Sequence, residues 1–170
     1  VGNSNVVAAD DVSQLKIATV SIQNVLTEAT SWNEARKVLE EEALKYKQDL
    51  LKSETEIKAF LEDIQKKSSV WSDEVKKDKE RDYQGMVRDL KLEEENAQFE
   101  LQKMEKKLME PILKELHVVL ADVGKKNGLS MILESSKQGL ESQTGVLYTD
   151  DSLDVSALVR EELEKRLSKK

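Results

Sequence analysis

Residues 37–74 read KVLEEEALKYKQDLLKSETEIKAFLEDIQKKSSVWSDE. The stretch has no glycine or proline and is rich in Glu, Lys, Leu and Ala, the composition of a long helix. Leu39, Ala43, Tyr46, Leu50, Ser53, Ile57, Phe60, Ile64, Lys67 and Trp71 follow alternating steps of four and three. That is a heptad seam, with Ala43, Leu50, Ile57, Ile64 and Trp71 at a, and Leu39, Tyr46, Ser53 and Phe60 at d. The residues that follow repeat it: Val87, Glu94, Leu101 and Leu108 at a, Tyr83, Leu90, Ala97 and Met104 at d.

One helix from Ser31 to Asn127 would be too long for a compact domain, so the pattern predicts two helices folded back on each other. An antiparallel pair sets a against d. This predicts the layers Leu39–Leu108, Ala43–Met104, Tyr46–Leu101, Leu50–Ala97, Ser53–Glu94, Ile57–Leu90, Phe60–Val87, Ile64–Tyr83 and Lys67–Glu80. The two polar seam residues then meet each other, and Lys67 meets Glu80 as an ion pair. A shift of one heptad would bury a carboxylate against Phe60. The tip falls near Ser72 and Asp73, with Ser72 as N-cap of the return helix. An arm of ~38 residues at 1.5 Å rise reaches roughly 57 Å.

Outward from the hairpin the chain changes character. Residues 1–14 read as a flexible polar segment, and Val7-Ala8-Ala9 before Asp10 has the small-residue look of a leader cleavage site. Within 15–30, Lys16 to Ile22 is β-branched and predicts a strand, followed by one or two helical turns from Gln23 to Ala29. Ser31-Trp32-Asn33-Glu34 has the form of a capping box opening the first arm. Pro111 should kink the return arm at the body end. Asn127-Gly128 predicts its stop. Within 128–170, Leu129 to Glu134 and Val146 to Thr149 predict two more strands around a polar loop, 135–145. Val155 to Leu167 predicts a final amphipathic helix.

The expected fold is therefore mostly α with a small β body. A long antiparallel helical hairpin (31–127) leaves a three-stranded base too small to bury a core alone. The strands flank the hairpin in sequence, and several identical copies are expected to complete the sheet.

Composition narrows the function. The 170 residues carry 38% hydrophobic and 36% charged side chains and a net charge of −7. An acidic chain is a poor partner for nucleic acid. No stretch is apolar for long enough to cross a bilayer as a helix. The absence of cysteine removes disulfides and thiolate chemistry and fits an oxidising compartment. His117 is the only histidine and reads as structural. Asp150, Asp151 and Asp154 lack an EF-hand spacing and read as turn and cap residues. No nucleophile has a base in view, and there is no phosphate-cradling glycine loop. The chain reads as a non-enzyme without metal or cofactor.

The order of fragments resembles the Skp/OmpH-type periplasmic chaperones of outer-membrane proteins. Lys16-Ile17-Ala18-Thr19-Val20 with Gln23-Asn24-Val25-Leu26 looks like their first strand and turn. Pro111-Ile112-Leu113-Lys114-Glu115-Leu116, Val123-Gly124-Lys125-Lys126-Asn127-Gly128 and Ile132-Leu133-Glu134 look like their descent into the body. Val146-Leu147-Tyr148 and Asp154-Val155-Ser156 look like the closing strand and last helix. The resemblance covers about 15–168. It implies a homotrimer whose three arms enclose a cavity, and ATP-independent holding of unfolded outer-membrane proteins in the periplasm.

Two features depart from the family. Well-known members are basic and this chain is acidic, which leaves contact with lipopolysaccharide or membrane open. The 135–145 loop is also longer.

Apolar residues off the seam are the candidate client contacts: Leu44, Leu51, Leu61, Leu92, Phe99 and Met109, with Trp71 at the tip. The candidate oligomer contacts are Ile17, Val20, Ile22, Val146, Tyr148, Leu158 and Leu163. Two other readings share the hairpin. One is a structural coiled-coil adaptor. The other is a prefoldin-like cytosolic chaperone, although in that architecture the strands lie between the helices.

Overall fold

The computed structural model describes residues 15–169. The expectations for 1–14 lie outside the described residues. Strand β1 (Ile17–Val20) leads into α1 (Ile22–Glu28). Helix α2 (Thr30–Lys67) is followed by a single 3-10 turn (Ser68–Val70) and by α3 (Asp73–Lys126). Then come β2 (Met131–Glu134), two further 3-10 turns (Gly139–Glu141 and Asp151–Leu153) and α4 (Ser156–Leu167).

The chain divides into two compact units. A hairpin unit takes Arg36–Leu108. A sheet unit takes the described residues up to Ala35 and those from Met109 onward.

In the sheet unit β1 and β2 pair in parallel, with Ile17 opposite Met131 and Val20 opposite Glu134. Parallel strands need a crossover, and here the crossover is the whole of α1, α2 and α3. The expected third strand does not form within the chain. The Val146 and Leu147 carbonyls accept from the Gly139 N–H, and the Val146 N–H donates to Ser142 Oγ. These contacts tie the start of the segment to its own loop. The other side of β1 is taken instead by Asp154, which bridges Thr19.

The core is aliphatic. Val25 of α1, Val119 and Val123 of α3, and Val159 and Leu163 of α4 are among the most deeply buried side chains. At about 1.5–3 kcal/mol for each large apolar side chain removed from water, this cluster is the main stabilising term of the unit. Ion pairs fasten its rim: Arg166 reaches Asp122 and Glu115, Lys126 reaches Glu162, and Arg160 reaches Glu28.

The helix ends differ from expectation at two places: α1 opens at Ile22, expected in the strand, with Ser21 as its cap, and α2 opens one residue early. Helix α2 opens at Thr30, and its first N–H donates to the Glu164 carboxylate of α4. The predicted capping box at Ser31 is therefore not the start; the cap comes from 134 residues further along the chain. At the far end of α3 a Schellman motif forms as read. Gly128 takes φ +62°, its N–H donates to Lys125 O, and the Leu129 N–H donates to Gly124 O. Pro111 lies exposed inside α3, which continues through it as one helix of 54 residues. Lacking an N–H, it leaves the Lys107 carbonyl without its usual helical donor.

Candidate functional site

The hairpin turn is where the sequence places it. Helix α2 ends at Lys67, and Ser72 caps α3: its Oγ accepts from the Val75 N–H and its carbonyl from the Lys76 N–H. Trp71 is half-buried at the turn, while Val70 beside it is exposed. Lys67 pairs with Asp63 of its own helix at 2.6 Å, not with Glu80. A pair four residues apart needs no fixed distance between helices, and so it wins over the longer reach.

Along α2, Leu39, Ala43, Tyr46, Leu50, Ser53, Ile57, Phe60 and Ile64 are all half-buried, as the heptads predict. Along α3 the d positions hold: Tyr83, Leu90 and Met104 are half-buried and Ala97 is buried. Two a positions do not. Val87 is 42% exposed, and Glu94 is exposed. Their places are taken by the residues one step earlier. Met86 is half-buried, and Glu93 accepts a hydrogen bond from Ser53 Oγ at 2.9 Å. Further toward the turn, Lys79 Nζ lies 5.3 Å from the centre of the Phe60 ring. The covered stripe of α3 thus runs through residues 79, 90 and 101 and through 86, 97 and 108. A step of eleven is 3.67 residues per turn, close to the 3.6 of a straight helix. The d positions keep the seven-residue count, while at two a positions the covered stripe departs from it.

Beside this seam lie two open grooves. One, of about 690 Å3, has Leu39, Ala43, Leu50, Ala97 and Leu101 in its floor and Leu51, Lys47, Glu54, Glu94 and Glu105 at its edges. The other, of about 440 Å3, shares Tyr46, Leu50 and Ala97 and is edged by Asp49, Lys52, Glu56, Glu93 and Glu100. Helical spacing puts Lys47 and Glu54 on one side of the seam and Asp49 and Glu56 on the other, so the grooves flank it.

The predicted contact residues separate clearly. Leu44, Leu51, Leu92 and Phe99 are exposed, Phe99 by 62% with Lys103 Nζ 6.0 Å from its ring centre. Leu61 and Trp71 are half-buried. Met109 is a correction: only 7% exposed, it is not available as a contact, because it belongs to the sheet unit and is covered there. Val38 and Val70 are exposed apolar residues that the sequence reading passed over.

The oligomer candidates also divide. Ile17, Tyr148 and Leu158 are exposed, Tyr148 by 79%, and Ile22 is half-buried. Val20, Val146 and Leu163 are corrected to core residues, buried within the single chain. The 135–145 loop adds Leu140, which is 98% exposed. The loop that presents it is tied down: Thr144 Oγ1 donates to Glu134 O, and Gln138 Nε2 to Thr149 Oγ1.

No group of three or more potential metal ligands occurs among the described residues. Asp150 and Asp154 act as caps, accepting from the N–H of Ser152 and Ser156. The Ser152 hydrogen bonds hold the Asp150 carboxyl below its ordinary 3.8. His117 is exposed on α3. No helix among the described residues is long and apolar enough to cross a membrane.

The fold is that of a paired-helix hairpin with apolar grooves and exposed leucines, continuous in sequence with a small parallel sheet. The chain belongs to the OmpH family: the family model for outer membrane protein (OmpH-like) matches residues 16–163. Among solved structures it is similar to an OmpH-like protein from Caulobacter crescentus CB15 described as an outer membrane chaperone. The TM-score is 0.74 at 13% identity, with 89% of this chain and 85% of that one covered. At that identity the likeness is one of fold. A comparison with curated proteins finds no match.

Proposed function

We propose that this protein is an ATP-independent holdase that keeps unfolded outer-membrane proteins from aggregating in the periplasm. It acts as a homotrimer in which three hairpins surround the client. Family membership and the exposed row Leu44, Leu51, Leu92 and Phe99 on the hairpin support this reading. A sparse apolar row makes many weak contacts and tolerates many sequences, which is what a carrier of unfolded chains requires. The edge of β2 and the exposed Ile17, Leu140 and Tyr148 support assembly through the sheet unit. Two strands are too few for independent stability, and a partner copy would extend them. A holding role needs no catalytic group.

The test dilutes a urea-unfolded β-barrel protein into buffer with and without this protein, in the absence of nucleotide. Suppressed light scattering is expected. In the triple variant Leu51→Ser, Leu92→Ser and Phe99→Ser helicity should persist, since exposed substitutions shift stability by about 0.5 kcal/mol or less each. Suppression should fall. No suppression by the wild type, or equal suppression by the variant, overturns the reading.

A further inference from the structure

The two grooves differ in charge from the rest of the hairpin. Residues 46–56 and 93–105 together hold eight carboxylates and three ammonium groups, whereas the remainder of 34–126 holds 15 and 17. The excess acid is therefore concentrated where the apolar floor opens.

Several acids elsewhere on the hairpin are engaged by bases one turn away, as in Arg36–Glu40, Lys67–Asp63 and Arg81–Asp78, and within the groove segments Glu95 and Glu100 are engaged by Lys91 and Lys103. At the wider groove Glu54, Glu94 and Glu105 have no ion-pair partner among the described residues, and Lys47 is the single ammonium on the same edge. Beside the narrower groove Asp49 and Glu56 also lack one. Uncompensated charge of one sign along a low-dielectric trough raises the local concentration of the opposite charge and repels its own.

We infer that the mid-hairpin grooves take polypeptide segments in which apolar and basic residues are interleaved, and discriminate against acidic ones. Apolar side chains of such a segment cover Ala43, Leu50 and Ala97. Its Lys or Arg side chains lie along the rims, where long stems cross apolar surface and the charged heads stay wet. The inference rests on the holdase reading and adds a sequence preference to it.

Three fluorescein-labelled peptides of equal length and leucine content, with Lys, Ser or Glu at the remaining positions, are titrated with the full chain. Fluorescence anisotropy should rank them Lys, Ser, Glu, with the Lys peptide bound about tenfold tighter than the Glu peptide at low salt. The gap should narrow near 1 M salt, where the Debye length is about 3 Å. In Glu54→Gln/Glu94→Gln/Glu105→Gln the gap should fall to about threefold or less, with Ser-peptide affinity unchanged. A control with the same charge change away from the grooves, Glu41→Gln/Asp82→Asn/Asp151→Asn, should keep the gap. Equal affinity for Lys and Glu peptides, or an equal collapse in the control, overturns the inference and leaves the holdase reading intact. Failure to bind any peptide, together with failure to suppress aggregation, overturns both.

Discussion

The backbone N–H of Ser21, just past the end of β1, donates to Oγ of Ser156, the first residue of α4, at 2.8 Å. The two are 135 residues apart, and the bond is buried. Ser21 is held on its other side as well. Its own Oγ accepts from the Asn24 N–H, which starts α1, and contacts Ser136 Oγ just past β2. Ser136 and Ser156 are themselves fixed by Glu134 and Asp154. A short chain of hydroxyls thus joins both strands and both short helices of the sheet unit.

Ser156→Ala removes the only acceptor shown for a buried N–H. An unsatisfied buried donor costs about 1–3 kcal/mol. The urea midpoint should fall accordingly, with the slope of the transition unchanged. Ser156→Thr, which retains the hydroxyl, should recover most of the loss. A midpoint for Ser156→Ala equal to wild type would show that the clasp carries no stability.

The absence of native cysteine permits a clean measurement of the hairpin register. Ile57 and Leu90 line one small cleft between α2 and α3. Cysteines at these two positions should be joined by a short bis-maleimide within one chain. Cysteines at Ile57 and Leu101, displaced by eleven residues or about 16 Å along the helix, should not. Linking of the second pair in preference to the first would refute the register.

Assembly through the sheet unit predicts a mass, in solution light scattering, of three chains for the wild type. Tyr148→Asp with Leu140→Asp should lower it, because both residues are exposed in the single chain and neither supports its core. Leu163→Asp is a different experiment: Leu163 is fully buried, and this change should unfold the chain instead. A monomeric wild type would remove the trimer from the proposal.

Charge on α4 gives a pH dependence. The Lys165 hydrogen bond, with Lys126 adding to it, holds the Glu162 carboxyl below its ordinary 4.5. A carboxyl depressed by folding stabilises the folded chain above its unfolded value and ceases to do so as pH falls through the lower, folded one. Lys165 is raised above 10.5, by Glu161 first and Glu162 next. Its contribution is complete below 10.5 and fades as pH rises through the raised value. Lys165 is exposed and Glu162 only half-buried, so solvent screening keeps the effect small. The drop in urea midpoint between pH 6 and pH 3 should be slightly less in Glu162→Gln than in wild type; an equal drop would show that the pair carries none of it.

The hairpin was legible in the sequence because helix periodicity is local. The α2 seam, the Ser72 cap and the Asn127-Gly128 stop each depend on residues within a turn or two of one another. The α3 seam was legible only in part. Counting in sevens puts Val87 and Glu94 inward, but Met86 is covered rather than Val87, and Glu93 rather than Glu94 takes the Ser53 hydrogen bond while both carboxylates stay exposed.

What the sequence alone determined is the paired helices, their turn and the family. What only tertiary structure decided is which residues pair over long distances. The cap of α2 by Glu164, the Ser21–Ser156 clasp and the parallel pairing of β1 with β2 all join segments separated by a whole hairpin. Local propensity carries no information about such partners, since they are chosen by packing and by the need to satisfy buried polar groups. The Val146–Thr149 segment is the same lesson in reverse: a strand by composition, it stays out of the in-chain sheet, where Asp154 rather than this segment lies against Thr19.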